Sequence, residues 1–127
     1  MKRQTSKPIA ATQVLGLATA AYSAALVIRP EILARPCGLT GSDGRAERST
    51  RLLIRAIGAR DTVIGTAMML APRGTARSWA VGCRIVADFS DAVAFGTMLP
   101  SRGARAKAAV SATLWGALCA AAAMRKD

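Results

Sequence analysis

Long stretches without a charged side chain constrain the fold of this 127-residue chain more than any other feature. Residues 8–28 contain no Asp, Glu, Lys or Arg, and neither do residues 108–124. Because the hydrocarbon core of a bilayer is ~30 Å thick, about 20 apolar helical residues cross it. The second stretch has no polar side apart from Ser111 and Thr113, whereas a surface helix of a soluble protein needs a charged face. Both stretches therefore predict membrane-crossing helices.

Prolines and glycines divide the rest of the chain. Two further helical stretches end at Pro72 and Pro100, and the segment after Pro30 is rich in glycine. We expect helices over about 8–28, 46–71, 79–99 and 107–124, with 29–45 a loop or interfacial segment. The predicted fold is all-α, a single integral membrane domain built as a four-transmembrane-helix bundle, located in a bacterial inner membrane. A soluble, alanine-rich bundle is the alternative, because the second and third helices carry charges.

The first apolar stretch also has features of a secretory signal peptide, since Lys2, Arg3 and Lys7 precede it. A signal peptide has a shorter apolar region of ~7–15 residues and a cleavage site of small residues. This stretch instead ends at Arg29 and Pro30. We expect it to remain as the first helix of the protein.

The net charge of +11 and the absence of histidine exclude several functions. Without histidine there is no histidine-based haem, zinc or nucleophilic site. The basic residues flank the apolar stretches and lack interleaved aromatic residues, so we expect them to contact anionic lipid headgroups and not a nucleic acid. The flanking bases include Arg73, Arg77, Arg102, Lys107 and Arg125.

Six charged residues fall within residues 52–71 and 79–99, the apolar stretches of the second and third predicted helices, where an unpaired charge inside the membrane is costly. If these helices form an antiparallel pair and the turn between them places Pro72 opposite Ser78, positions whose numbers sum to about 150 lie at the same depth. Arg60 is then expected to pair with Asp91, Arg55 with Asp88, and Asp61 with Arg84 or a hydroxyl. The six residues are Arg55, Arg60, Asp61, Arg84, Asp88 and Asp91.

Several short motifs resemble a group of uncharacterised small four-helix membrane proteins of bacteria and fungi that is loosely similar to the DoxX-like set. The resemblance implies four spans and an Arg/Asp core, and it implies no settled activity. The residues that carry it are Gly58-Ala-Arg60-Asp61, Gly65, Asp88-x-x-Asp91, and the linker from Pro30 to Gly38.

The charged core suggests catalysis. Asp88 and Asp91 lie three residues apart on one helix face, and such a pair can supply an acid and a base from one residue type. We expect Asp88, Asp91 and Asp61 to act in a membrane-embedded isomerase, cyclase or epoxide-opening enzyme. Its substrate would be a lipophilic terpenoid, polyketide or lipid-like molecule held between the helices, without a cofactor or metal.

The other expected roles concern binding and positioning. Arg55, Arg60 and Arg84 would hold the carboxylates or the substrate, and Tyr22 and Trp115 would line the cavity.

Two alternatives to catalysis stay open. The Arg/Asp pairs could only fix the register of the helices in a structural or ligand-binding subunit, since interhelical polar contacts serve that purpose in membranes. Alternatively, the chain could be a small oligomeric transporter. Its many Ala and Gly residues favour a homo-oligomer.

Of the three cysteines, Cys37 in the loop is expected to be the reactive one.

Overall fold

The computed structural model describes residues 9–125, and this part of the chain is entirely helical, without a β-strand. The predicted all-α class is therefore confirmed. Residues 1–8, with Lys2, Arg3 and Lys7, and residues 126–127 lie outside the described part. The five helices are α1 (Ala11–Ile28), α2 (Glu31–Ala34), α3 (Arg48–Leu70), α4 (Thr75–Met98) and α5 (Arg102–Met124).

Two helices begin earlier than the sequence predicts, because residues at their N-termini allow it. α4 begins at Thr75 rather than 79, since Gly74 adopts a φ of 106° that turns the chain directly into the helix. α5 begins at Arg102 rather than 107, where the Ser101 side chain accepts a hydrogen bond from the Ala104 amide. The predicted loop 29–45 contains the short helix α2.

The bundle consists of two tightly packed helix pairs, α1 with α3 and α4 with α5, joined by contacts between α3 and α4. Small residues bring α1 and α3 close together. A Cβ added at Gly65 would lie 2.6 Å from both the Gly16 carbonyl oxygen and the Ala20 amide nitrogen. The segment containing α2 covers one end of the bundle, where Ala34 packs on Leu26 and Ile54.

Two of the long helices in the described part, α1 and α5, are apolar and long enough to cross a membrane. Only 28% of the apolar stretch of α1 and 17% of that of α5 is buried within the protein. A core helix of a soluble protein would be mostly buried, so this exposure favours a lipid environment. α3 and α4 are not among these candidates, and both carry charged residues described above.

The distribution of side chains is inverted relative to that of a soluble protein. Large apolar side chains lie on the outer faces of all four long helices, as shown by Leu17, Val63, Val86 and Leu114, whose exposures range from 55% to 70%. Three charged side chains are buried instead, with Asp61 7%, Arg84 4% and Asp88 3% exposed. Water-soluble monomers rarely expose apolar surface this extensively.

Candidate functional site

Arg60 connects two carboxylates across the α3–α4 interface. Its Nη2 and Nη1 donate to Asp91 Oδ2 at 2.7 Å and Asp91 Oδ1 at 3.3 Å, a two-point contact between the helices. Its Nε donates to Asp61 Oδ1 at 2.7 Å. The Arg60 side chain is 38% exposed, and that of Asp91 18%. Of the three carboxylates, Asp91 is therefore the one that an incoming molecule reaches most readily.

Arg84 continues the series into the buried interior. Its Nη1 lies 2.9 Å from Asp61 Oδ2, and its Nε donates to Asp88 Oδ2 at 2.9 Å. Its Nη2 donates to the other Asp88 oxygen. The Arg84–Asp88 contact follows from helix geometry, because residues four apart lie on the same face.

Together these contacts form an unbroken series of alternating charge, which we call the Arg/Asp relay: Asp91–Arg60–Asp61–Arg84–Asp88. Each of its six carboxylate oxygens contacts an arginine nitrogen. Such complete pairing is what buried charges require, since an unpaired ion away from water is strongly disfavoured. The relay contains three carboxylates and only two guanidinium groups.

Two of the expected pairs, Arg60 with Asp91 and Arg84 with Asp61, are present. The expected pair of Arg55 and Asp88 is wrong. Arg55 Nε donates to the Val27 carbonyl oxygen at 3.1 Å, near the end of α1, and both oxygens of Asp88 are taken by Arg84. Arg55 therefore lies outside the relay.

A cavity of about 520 Å³ adjoins the relay, in the half of the bundle nearer α2. All five helices contribute to its wall, which is mostly apolar, and Asp61, Arg84, Asp88 and Asp91 form a polar patch on it. Its volume is in the range of small-molecule binding sites. The relay thus lies beside an apolar space.

The two aromatic residues singled out in the sequence, Tyr22 and Trp115, both line this cavity. Trp115 Nε1 donates to Thr19 Oγ1 at 3.0 Å and so connects α5 with α1. Tyr22 is 53% exposed, which places it toward the outside of the bundle. Direct contact between α1 and α5 is otherwise limited.

Sequence reasoning missed Lys107, which lines the same cavity. The sequence predicts it to be one of the flanking bases, because the fourth helix is expected to begin at 107. Since α5 begins at Arg102, Lys107 lies more than one turn inside the helix. Ser101 is the signal in the sequence that could have predicted the earlier start of α5, and with it the position of Lys107 inside the helix.

Cys37 is also part of the cavity wall, but it is buried, with 3% of its surface exposed. Burial raises the pKa of the Cys37 thiol, and the thiolate is the reactive form. The expectation that Cys37 is the reactive cysteine is therefore wrong. Cys83, on α4, is the exposed one.

Among residues 9–125, no group of three or more Cys, Asp or Glu side chains could hold a metal ion. Comparisons of the chain with family models, with curated proteins and with solved structures find no match. The relay and the adjoining cavity are therefore the features of this protein that indicate a function.

Proposed function

We propose that all four long helices cross the membrane, including α3 and α4. The support comes from which side chains of these two helices are buried and which are exposed. Every charged residue of α4 faces the interior or is at least partly covered, whereas its exposed positions carry residues such as Trp79, Val86 and Val93. On α3, the residues after Asp61 in the sequence include Val63 and Leu70, whose side chains are exposed. Paired charges inside and apolar side chains outside suit a helix bundle in lipid.

Within this bundle the protein acts as a membrane-embedded acid/base enzyme on a lipophilic small molecule. The observation that carries this proposal is a relay of ionisable groups forming one wall of an otherwise apolar cavity of about 520 Å³. An apolar substrate would enter from the bilayer between α1 and α5, where Tyr22 is exposed and direct helix contact is limited. The cavity then holds it against the carboxylates, out of contact with water.

Asp91 is the carboxylate best suited to touch the substrate, because it is the most exposed member of the three. Its Arg60 partner fixes its position, as catalysis requires. Asp88 and Asp61 position the two arginines. Because carboxylates outnumber guanidinium groups in the relay, it is neutral when it carries one proton, and a shared proton allows the group to act as acid and as base.

Lys107 lines the cavity and is not among the relay contacts. Its ammonium group can donate a hydrogen bond to a carbonyl or epoxide oxygen of the substrate while Asp91 removes or returns a proton. Isomerisation, cyclisation and epoxide opening all fit this pair of roles. The resemblance to DoxX-like proteins and the expected homo-oligomer stay predictions.

Mass spectrometry of lipophilic extracts tests the proposal. Membranes of a native host lacking the gene are complemented with the wild-type protein, with D91N, with K107M, or with R45Q as a control, since Arg45 does not line the cavity. A lipophilic product should appear with wild type and R45Q and be lost with D91N and K107M, while both latter proteins keep their melting temperatures. Unchanged extracts in all four strains would contradict catalysis.

A structural role is the second candidate, because every carboxylate oxygen of the relay already has an arginine partner. In that case the relay only sets the register between α3 and α4. The K107M protein distinguishes the two roles, since Lys107 is outside the relay. If the relay is purely structural, K107M changes nothing, and D91N lowers the melting temperature.

A further inference from the structure

A second, smaller cavity of about 170 Å³ lies at the opposite end of the bundle, where α1 begins, α4 begins and α5 ends. Three arginines, Arg73, Arg77 and Arg125, contribute to its wall, and among residues 9–125 no Asp or Glu lines it. Such a concentration of one charge sign in a concave site favours an anion.

Two nitrogens of the Arg77 guanidinium group form hydrogen bonds, and the third has no acceptor. Its Nη2 and Nε donate to the Ala71 carbonyl oxygen at 2.7 and 3.2 Å, just beyond the end of α3. Its Nη1 is buried and has no hydrogen-bond partner. A buried guanidinium nitrogen without an acceptor is costly, and an anion in the cavity would satisfy it.

Thr12 gives a second, independent indication. It is 4% exposed and lines the same cavity, and its Oγ1 has no hydrogen-bond partner. Within residues 9–125, Thr12 Oγ1 and Arg77 Nη1 are the two buried side-chain atoms without a partner, and both belong to residues of this cavity wall. Buried polar groups are normally satisfied, so the coincidence points to a missing ligand.

The N-terminus of α4 opens at this cavity. Gly74 precedes the helix with a positive φ, and no side chain caps the helix start. The free N–H groups of a first turn, with the helix dipole, bind phosphate-type anions.

From these contacts we propose that the cavity binds a phosphate group, through Arg77 Nη1, the Thr12 hydroxyl, Arg125 and the first turn of α4. A phosphate offers several acceptor oxygens to donors arriving from three helices. In the four-span arrangement this end lies at headgroup depth, so the phosphate can belong to an anionic phospholipid or be free in solution. The site is independent of the acid/base function at the other end.

Isothermal titration calorimetry on the full-length protein in a nonionic detergent tests this site. The probes are inorganic phosphate and the water-soluble lipid dihexanoyl phosphatidylglycerol. We expect saturable binding of at least one probe, weakened about tenfold or more by T12V and by R125Q. R102Q, which removes an exposed charge at the opposite end, should bind like wild type.

The two probes identify the source of the phosphate. Binding of inorganic phosphate would indicate a free anion, and binding of the lipid alone would indicate a headgroup site. T12V should also melt at a higher temperature than wild type without a probe, because it removes an unsatisfied buried hydroxyl. Absence of saturable binding by both probes, or equal weakening by R102Q, would overturn the proposal.

Discussion

Replacing Arg84 by methionine should be among the most damaging single changes in this protein. Arg84 contacts both oxygens of Asp88 and one oxygen of Asp61, and both carboxylates are less than 10% exposed. In R84M, Asp61 keeps its contact with Arg60, whereas Asp88 loses both of its hydrogen bonds to Arg84. Breaking a buried ion pair on one side costs about 3–5 kcal/mol, and we expect a loss of unfolding free energy in that range.

A second substitution separates this cause from lost packing. Adding D88N to R84M removes the uncompensated carboxylate charge, so the double variant should regain most of the lost stability. The coupling between the two sites should reach about 2 kcal/mol, as for residues sharing one network. R55M is the matched control. Arg55 is exposed and makes one hydrogen bond to a carbonyl, so its loss should cost only about 1 kcal/mol.

Equilibrium unfolding in mixed detergent micelles measures these differences. The result would be contradicted in two ways: if R84M is no less stable than R55M, or if adding D88N to R84M restores no stability. Either outcome would mean that Arg84 does not neutralise a buried Asp88 carboxylate.

Three further changes test packing and reactivity. G65A should lower the unfolding free energy by about 1–3 kcal/mol, because its Cβ would lie 2.6 Å from the α1 backbone. G82A is the control, and it should be neutral or slightly stabilising because a Cβ there meets nothing within 4 Å. Equal effects of the two changes in thermal melts would argue against the close α1–α3 crossing. In a pH series of maleimide labelling, Cys37 should react more slowly than an unfolded reference thiol at pH 8, since its raised pKa leaves less thiolate, and labelling as fast as the reference would show that Cys37 is not buried. W115F should loosen the α1–α5 contact and increase amide exchange at Thr19, and unchanged exchange would mean that the indole hydrogen bond is not formed.

The sequence allowed the helical class and part of the relay to be predicted, because both depend on spacing. Uncharged stretches define helices, and equal depth in an antiparallel pair brings Arg60 to Asp91 and Asp61 to Arg84. The partner of Asp88 was predicted wrongly, because equal depth across the two helices pointed to Arg55. The spacing of four residues within α4 favours Arg84 instead, and that is the contact the structure has.

The cavities depend on details that hydropathy patterns do not contain. Lys107, which lines the large cavity, lies within α5 because this helix begins at Arg102 rather than at 107, with Ser101 as its N-cap. Thr12 and Arg77 come together because α1 begins beside the α3–α4 turn, a contact between distant parts of the chain. Such contacts follow from tertiary packing and not from local propensity.

The central claim is that α3 and α4 lie in lipid with Asp61, Arg84 and Asp88 turned inward. It is tested by spin labels at Val63 and Val86, on the outer faces of these helices, with a label at Leu114 of α5 as reference. The labelled proteins carry no native cysteine and are reconstituted in bilayers for collision measurements by electron paramagnetic resonance. The account predicts that all three labels collide more often with oxygen than with a water-soluble nickel chelate. Preferential collision of the Val63 and Val86 labels with the nickel chelate would contradict it.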